Sequence, residues 1–347
     1  MKGHVPVRLR RGEISYLVEK KALKISLLLL VVCVVIAIVS TGMGEMYISP
    51  IDVVKSVIGI GADDHALVVQ KLRLPRIVIS MLVGSALAAA GAIMQGIIRN
   101  PLASPDMMGV TGGASVAAVI FLTYFNGMIS IRWLPVSAML GAAVVSVILY
   151  MLAWKKGVTP IRLILVGIGM SSLMSAGTTM MIVFSPKNDP GTAYLWLTGS
   201  VYASNWENVM TVLPWTVILI PIAFLLARHV NIGQLGDDVA ASAGSAVEAN
   251  RLLLLFISVA LAGSAVSVAG AIGFIGLIAP HMARKWVGSS FDSLLPVSAL
   301  LGGAIVMLAD LAGRTFFLPH DVPVGVFTAA VGAPFFIYLL YTKRNSR

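Results

Sequence analysis

The fold turns on one stretch: Arg73-Leu-Pro-Arg76, an uncharged apolar run over residues 77–98, then Arg99-Asn-Pro-Leu-Ala-Ser-Pro-Asp-Met-Met-Gly109, closing at Gly112-Gly113-Ala114. About twenty residues at 1.5 Å rise each reach across a bilayer as a helix. Within the run Gly84, Ala88, Gly91 and Ala92 recur three or four residues apart, leaving one smooth face that another helix backbone can approach closely. Pro75 suits a first helical turn, where its missing N–H has no intrahelical partner. That start puts Arg73 and Arg76 at the positive end of a helix dipole, which disfavours cations. Two arginines set against a dipole need another reason to be there.

Working outward, 58% of the 347 residues are hydrophobic and only 12% are charged. Soluble domains run near ~45–50% apolar and ~25% charged, so the chain is an integral membrane protein with lipid as its solvent. A net charge of +10 would suggest nucleic acid in a soluble protein; here the cations lie between apolar runs, as topology signals do, and nucleic acid is set aside as a partner. The single cysteine, Cys33, lies inside an apolar run; no intrachain disulfide can form, and it reads as a small hydrophobe. No small-x-small site follows Val39, so the first span reads as uncleaved.

Apolar runs predict ten spans, near residues 25–39, 77–98, 107–124, 134–154, 163–184, 209–227, 252–268, 271–282, 294–311 and 324–341. The region 252–282 reads equally as one long span or two short ones. With both termini in the cytoplasm, most Lys and Arg fall inside. The exceptions are Lys55, Lys71, Arg73, Arg76, Arg132, Lys187 and Arg314. The expected organisation is a cytoplasmic basic tail (1–24), one transmembrane domain (25–342) with a cytoplasmic loop at 228–251, and a cytoplasmic tail (343–347).

Two strings echo. Leu134-Pro-Val-Ser-Ala-Met-Leu-Gly-Ala142 returns as Leu295-Pro-Val-Ser-Ala-Leu-Leu-Gly-Gly303, and Ala90-Gly-Ala-Ile93 as Ala269-Gly-Ala-Ile272. Each echo falls five spans after its original, and an odd number of crossings inverts the copy: an inverted repeat, with a pathway expected near its interface. In the loop 228–251, Asp237 and Asp238 favour a helix start after Gly236, Gly244 would end it, and Ser245 could cap the next. This predicts a helix-Gly-helix knuckle, with a solvated connector or a membrane-surface helix as the alternative. Outside, residues 188–207 read as an interfacial helix with Trp196 and Trp206 as anchors, and 49–65 as a second short helix.

No phosphate-cradling Gly-x4-Gly-Lys-Ser/Thr string occurs, no His/Cys/carboxylate cluster has metal-site spacing, and nothing supports a catalytic triad. Within the apolar runs Asp310 is the only carboxylate besides Asp106 at an entrance. Ion-coupled carriers usually hold such relays, so the driving energy is expected from outside the chain. His281, near the inner end of a short span, reads as structural, through a hydrogen bond to a carbonyl.

With these residues in view, the chain resembles the permease subunits of the iron-siderophore and cobalamin (FecCD-type) family of ABC importers. The matching strings are Arg73-Leu-Pro-Arg76, Ala90-Gly91 through Gln95, Asn100-Pro101-Leu102-Ala103-x-Pro105, Gly109 with Gly113-Ala114, and Leu235-Gly236 with Gly244 and Arg251. They continue with Gly270-Ala-Ile-Gly-Phe-Ile-Gly276 and Pro280-His281-x-x-Arg284, Ala309-Asp310 with Arg314, and Pro323-x-Gly325 with Gly332-Ala333-Pro334.

The resemblance implies an all-α type II importer permease of about ten helices in the bacterial cytoplasmic membrane. It would pair as a homodimer or with a paralogous permease, around a pathway on the dimer axis. It implies no catalysis and no bound cofactor or metal; ATP is used by a cytoplasmic ATPase dimer, and an extracytoplasmic binding protein delivers cargo. By match, Arg73, Arg76 and Arg314 would receive the binding protein. Leu235, Gly236, Asp237, Asp238, Gly244 and Arg251 would couple to the ATPase. Gly84, Ala88, Gly91, Gln95, Gly270 and Gly273 would serve helix packing and the pathway. The cargo implied is an iron-siderophore, with cobalamin or haem as alternatives; an ion-coupled carrier acting alone is the rival of another class.

Overall fold

The computed structural model describes residues 4–9, 14–44, 46–60, 63–125, 128–155, 157–185 and 191–344. Lys187, residues 188–190, parts of the basic tail (1–3 and 10–13) and the chain end 345–347 lie outside them. An antiparallel hairpin, β1 (His4–Leu9) with β2 (Ile14–Glu19), leads directly into α1 (Lys20–Gly42). Within the basic segment, residues 4–9 and 14–19 therefore pair as strands, and the first helix begins at Lys20, ahead of the apolar run. The remaining regular elements among the described residues are helices. α2 (Pro50–Val57) and α3 (Asp63–Leu67) precede α4 (Leu74–Ile98). α5 (Val110–Ile120), α6 (Leu134–Ala153) and α7 (Pro160–Val183) follow, then the short α8 (Gly191–Leu197) and α9 (Trp206–Leu225). α10 (Ala227–Gly233) and α11 (Asp237–Ser242) form the loop before α12 (Val247–Ala269), α13 (Ile275–Val287), α14 (Phe291–Thr315) and α15 (Val324–Arg344).

Seven helices among the described residues are long and apolar enough to cross a bilayer; residues 110–125 and 324–339 form shorter apolar ones. The doubtful region resolves into one full span and one partial one. α12 ends at Gly270, whose φ of +70° is open to glycine at little cost. The predicted span at 271–282 starts only at Ile275, and α13 has 13 residues, about 20 Å against a core of about 30 Å.

The start of α4 also differs from expectation. A π-helical turn, Val68–Arg73, runs into α4, with the Leu74 N–H bonded to the Val69 carbonyl, so the helix is continuous from His65 to Ile98. Pro75 therefore lies inside a helix. Its ring would clash with a carbonyl four residues back, and the wider turn carries that carbonyl aside. The positive dipole end lies upstream, so the conflict inferred for Arg73 and Arg76 does not arise.

α4 is the hub, buried nearly end to end. A Cβ on Gly84 would come within 2.2 Å of the Gly302 carbonyl oxygen, and one on Gly91 within 2.0 Å of that of Gly276. The smooth face thus seats α14 and α13 within the same chain, and a Cβ on Gly302 would stand 2.4 Å from Ala88 Cβ. The inverted repeat shows in the packing. By the register of the echoes Gly84 corresponds to Gly263 and the Gly302-Gly303 pair to Gly141-Ala142, and a Cβ on Gly263 would indeed meet Ala142 Cβ at 3.4 Å.

Candidate functional site

Polar clusters stand at the two ends of the hub helix. At the N-terminal end of that helix, Arg76 donates through Nε to Asp310 Oδ1 (2.8 Å) and through its two terminal nitrogens to both oxygens of Asp321 (2.5 and 2.9 Å). Its guanidinium lies 5.6 Å from the Tyr202 ring centroid, within range of the ring's negative face. Arg314 meets Asp310 from the other side, at 3.6 Å, and donates to the Met43 carbonyl (2.6 Å) and to both oxygens of Ser40. Arg73 donates to the carbonyls of Thr41 (2.8 Å) and Met46 (2.6 Å).

Those carbonyls at Ser40 to Met43 include the orphan acceptors at the C-terminus of α1, the negative end of its dipole. Two arginines satisfy them, and the third joins α4 to α14 and to Asp321. The side chains of Arg76, Arg314 and Asp310 are only 14%, 10% and 0% exposed. All three arginines turn onto carbonyls or carboxylates of their own chain, because buried cations need compensating acceptors.

Near the C-terminal end of the hub helix, α11 has Gly236 as N-cap with φ +117°, and Gly244 follows it at φ +78°, so the helix-Gly-helix knuckle is present. Ser245 does not cap α12, whose N-cap is Ala246; its hydroxyl instead accepts from Asn250 Nδ2 at 3.1 Å. Asp237 is the junction. Both its oxygens accept from Arg251 (3.0 and 2.9 Å), and one also takes Arg99, just past the end of α4. Arg251, 6% exposed, further binds Glu248 Oε1 (2.9 Å) and the Val158 carbonyl. The knuckle is thereby tied by charged pairs to α4 and α12 at once. Leu235 and Val239 point away from this tie, 70% and 49% exposed, and Asp238 is exposed.

Between the clusters Gln95 Nε2 donates to the Gly276 carbonyl (3.2 Å) and its Oε1 accepts from Arg284 (2.9 Å). A Cβ on Gly270 would meet the Trp196 carbonyl at 2.1 Å, whereas Gly273 faces open space. His281 makes an edge-on contact with Phe335, centroids 5.6 Å apart. In the turn before α5, Asp106 accepts from the Thr111 hydroxyl, and burial pushes its carboxyl above the ordinary range. Sequence reasoning missed Asp321 and Glu248, took Tyr202 only as one of the aromatics of the segment 188–207, and counted Arg99 only as a topology charge. The surplus of outer arginines over acids near them in sequence was the one signal for Asp321.

The FecCD transport family model matches residues 29–342. The chain is 50% identical over 333 residues to the "Probable siderophore transport system permease protein YfhA" of Bacillus subtilis (strain 168), covering 94% of this chain and 97% of the relative. It is 47% identical over 318 residues to the achromobactin transport system permease protein CbrC of Dickeya dadantii (strain 3937), covering 92% and 90%. Among solved structures, an inward-facing ABC transporter assigned to the metal-chelate type superposes with a TM-score of 0.82 at 30% identity, over 92% of this chain and 99% of that one.

Proposed function

We infer the function from one premise: this chain belongs to the FecCD transport family. It is a multi-pass permease of an ABC importer, and the cargo we propose for it is a ferric siderophore complex, in keeping with the names its relatives carry. The ATPase is a separate cytoplasmic pair docked on the knuckle at Leu235, Gly236, Asp237, Asp238 and Gly244; the termini lie on that same side.

The observation that carries the coupling is the Asp237 junction. Load applied to the exposed Leu235 and Val239 face passes through Asp237 to Arg99 on α4 and to Arg251 on α12. Since α4 is packed backbone to backbone on α14 and α13, it moves with them as a rigid body; close-packed interfaces of this kind shift between discrete arrangements. Gly273, open on one side, lies in the break between α12 and α13, where the pathway can change width.

At the outer end, an extracytoplasmic binding protein lands over Arg73, Arg76 and Arg314. Its carboxylates compete with Asp321, the most exposed acid of the cluster at 23%, for Arg76. Such contacts steer association and weaken with salt. A second permease, identical or paralogous, completes the pathway.

Uptake tests the reading. Cells lacking this chain should lose uptake of radiolabelled ferric siderophore and keep that of labelled cobalamin. Transport by the purified chain in vesicles with an ion gradient and no ATPase would overturn it.

A further inference from the structure

Apart from both clusters, a cavity of about 490 Å3 opens between α6, α9 and α12, floored by Met94 and Met108. Its lining follows α6 from Val136 to Met151, about 22 Å at 1.5 Å per residue. Two serines line it, but the Ser146 hydroxyl is spent on the Ala142 carbonyl (2.7 Å) and that of Ser258 on the Ala90 carbonyl (3.0 Å). Water needs two to four polar partners to stay in such a space, so the occupant is apolar. Leu140, Val147, Met151 and Phe256 at the rim are 58–69% exposed and stand on bilayer-crossing helices, so the opening faces hydrocarbon.

Size separates the apolar candidates. A helix of a second copy, about 10 Å wide, would lie largely outside this groove rather than fill it, and cross-linking between copies tests for it. One acyl chain, reaching about 15 Å or half the hydrocarbon core, fits. Charge chooses the end. Arg132 at the outer end of α6 is paired with Glu207 at 3.2 Å, whereas Lys155 at the other end is exposed and has no acidic partner among the described residues. The Tyr150 and Trp154 rings beside it, centroids 5.6 Å apart, are the residue types that settle at headgroup level.

We infer that this groove is a lipid site: it holds one acyl chain of a bilayer phospholipid, with the phosphate beside Lys155. The test uses the full chain reconstituted in phosphatidylglycerol, re-extracted in mild detergent and weighed by native mass spectrometry. One phospholipid should remain per wild-type chain, and Ala143→Phe with Ala260→Phe should retain at least fivefold less. Should that variant misfold, dibrominated phosphatidylglycerol serves on the wild type. The emission of Trp215, isolated by difference from Trp215→Phe, should fall at least twofold. Equal retention by the filled variant, unquenched Trp215, or oxidative cross-linking of Val147→Cys between copies would overturn the assignment.

Discussion

Replacing Asp310 by Asn removes one charge from the centre of the Arg76 cluster while keeping its shape. Asp310 is fully buried and sits 2.7 Å from Arg76 and 3.6 Å from Arg314. At an effective dielectric of about 20 the closer pair alone attracts by roughly 6 kcal/mol before desolvation. Breaking a buried pair at one partner costs about 3–5 kcal/mol net, since it strands the other charge. Over 347 residues, an unfolding entropy of about 2.1 cal/mol/K per residue converts this into an apparent Tm lower by roughly 4–7 °C. Intrinsic-fluorescence melts in detergent would measure it. Asp321→Asn is the control: it removes the same charge from a side chain 23% exposed, where water can take over the freed N–H groups, so the loss should be at most about half as large. A shift under about 1 °C for Asp310→Asn, or an equal loss for Asp321→Asn, would refute burial as the reason these charges are paired.

Gly91→Ala should abolish uptake and lower the Tm. Its Cβ would stand 2.0 Å from the Gly276 oxygen where ordinary contact begins at 3.4 Å, forcing α4 and α13 apart at a cost of about 1–3 kcal/mol or more. Gly273→Ala, with nothing within 4 Å, should leave the Tm unchanged, and comparing the two melts decides whether close packing governs these glycines. Leu235→Asp should cut co-purification of the ATPase at least fivefold without moving the Tm, because that side chain touches little of its own chain. Asp237→Asn should keep ATPase binding but uncouple it, lowering uptake per ATP hydrolysed; loss of binding in step with uptake would show that the knuckle docks without acting as a lever.

Composition and the spacing of apolar runs were enough to establish a membrane protein of about ten helical elements with an inverted repeat, because crossing hydrocarbon imposes length and apolarity locally. The knuckle was legible for a similar reason: two acids after Gly236 and a glycine at 244 start and stop a helix by rules that act within one turn. The apolar spacing placed a break near Gly270 but did not show that the segment after it is only a partial span, since α13 is apolar like a span and only its length distinguishes it. Nor could the string say whether Arg73, Arg76 and Arg314 face out or in. Arg76 and Asp310 lie far apart along the chain, and that they meet depends on Gly84 letting α4 and α14 approach until backbones touch. The same holds for Asp237, Arg99 and Arg251, and for the groove beside α6. Local chemistry chose the helices; which charges neutralise one another, and which faces remain open to lipid, was decided only when the helices packed.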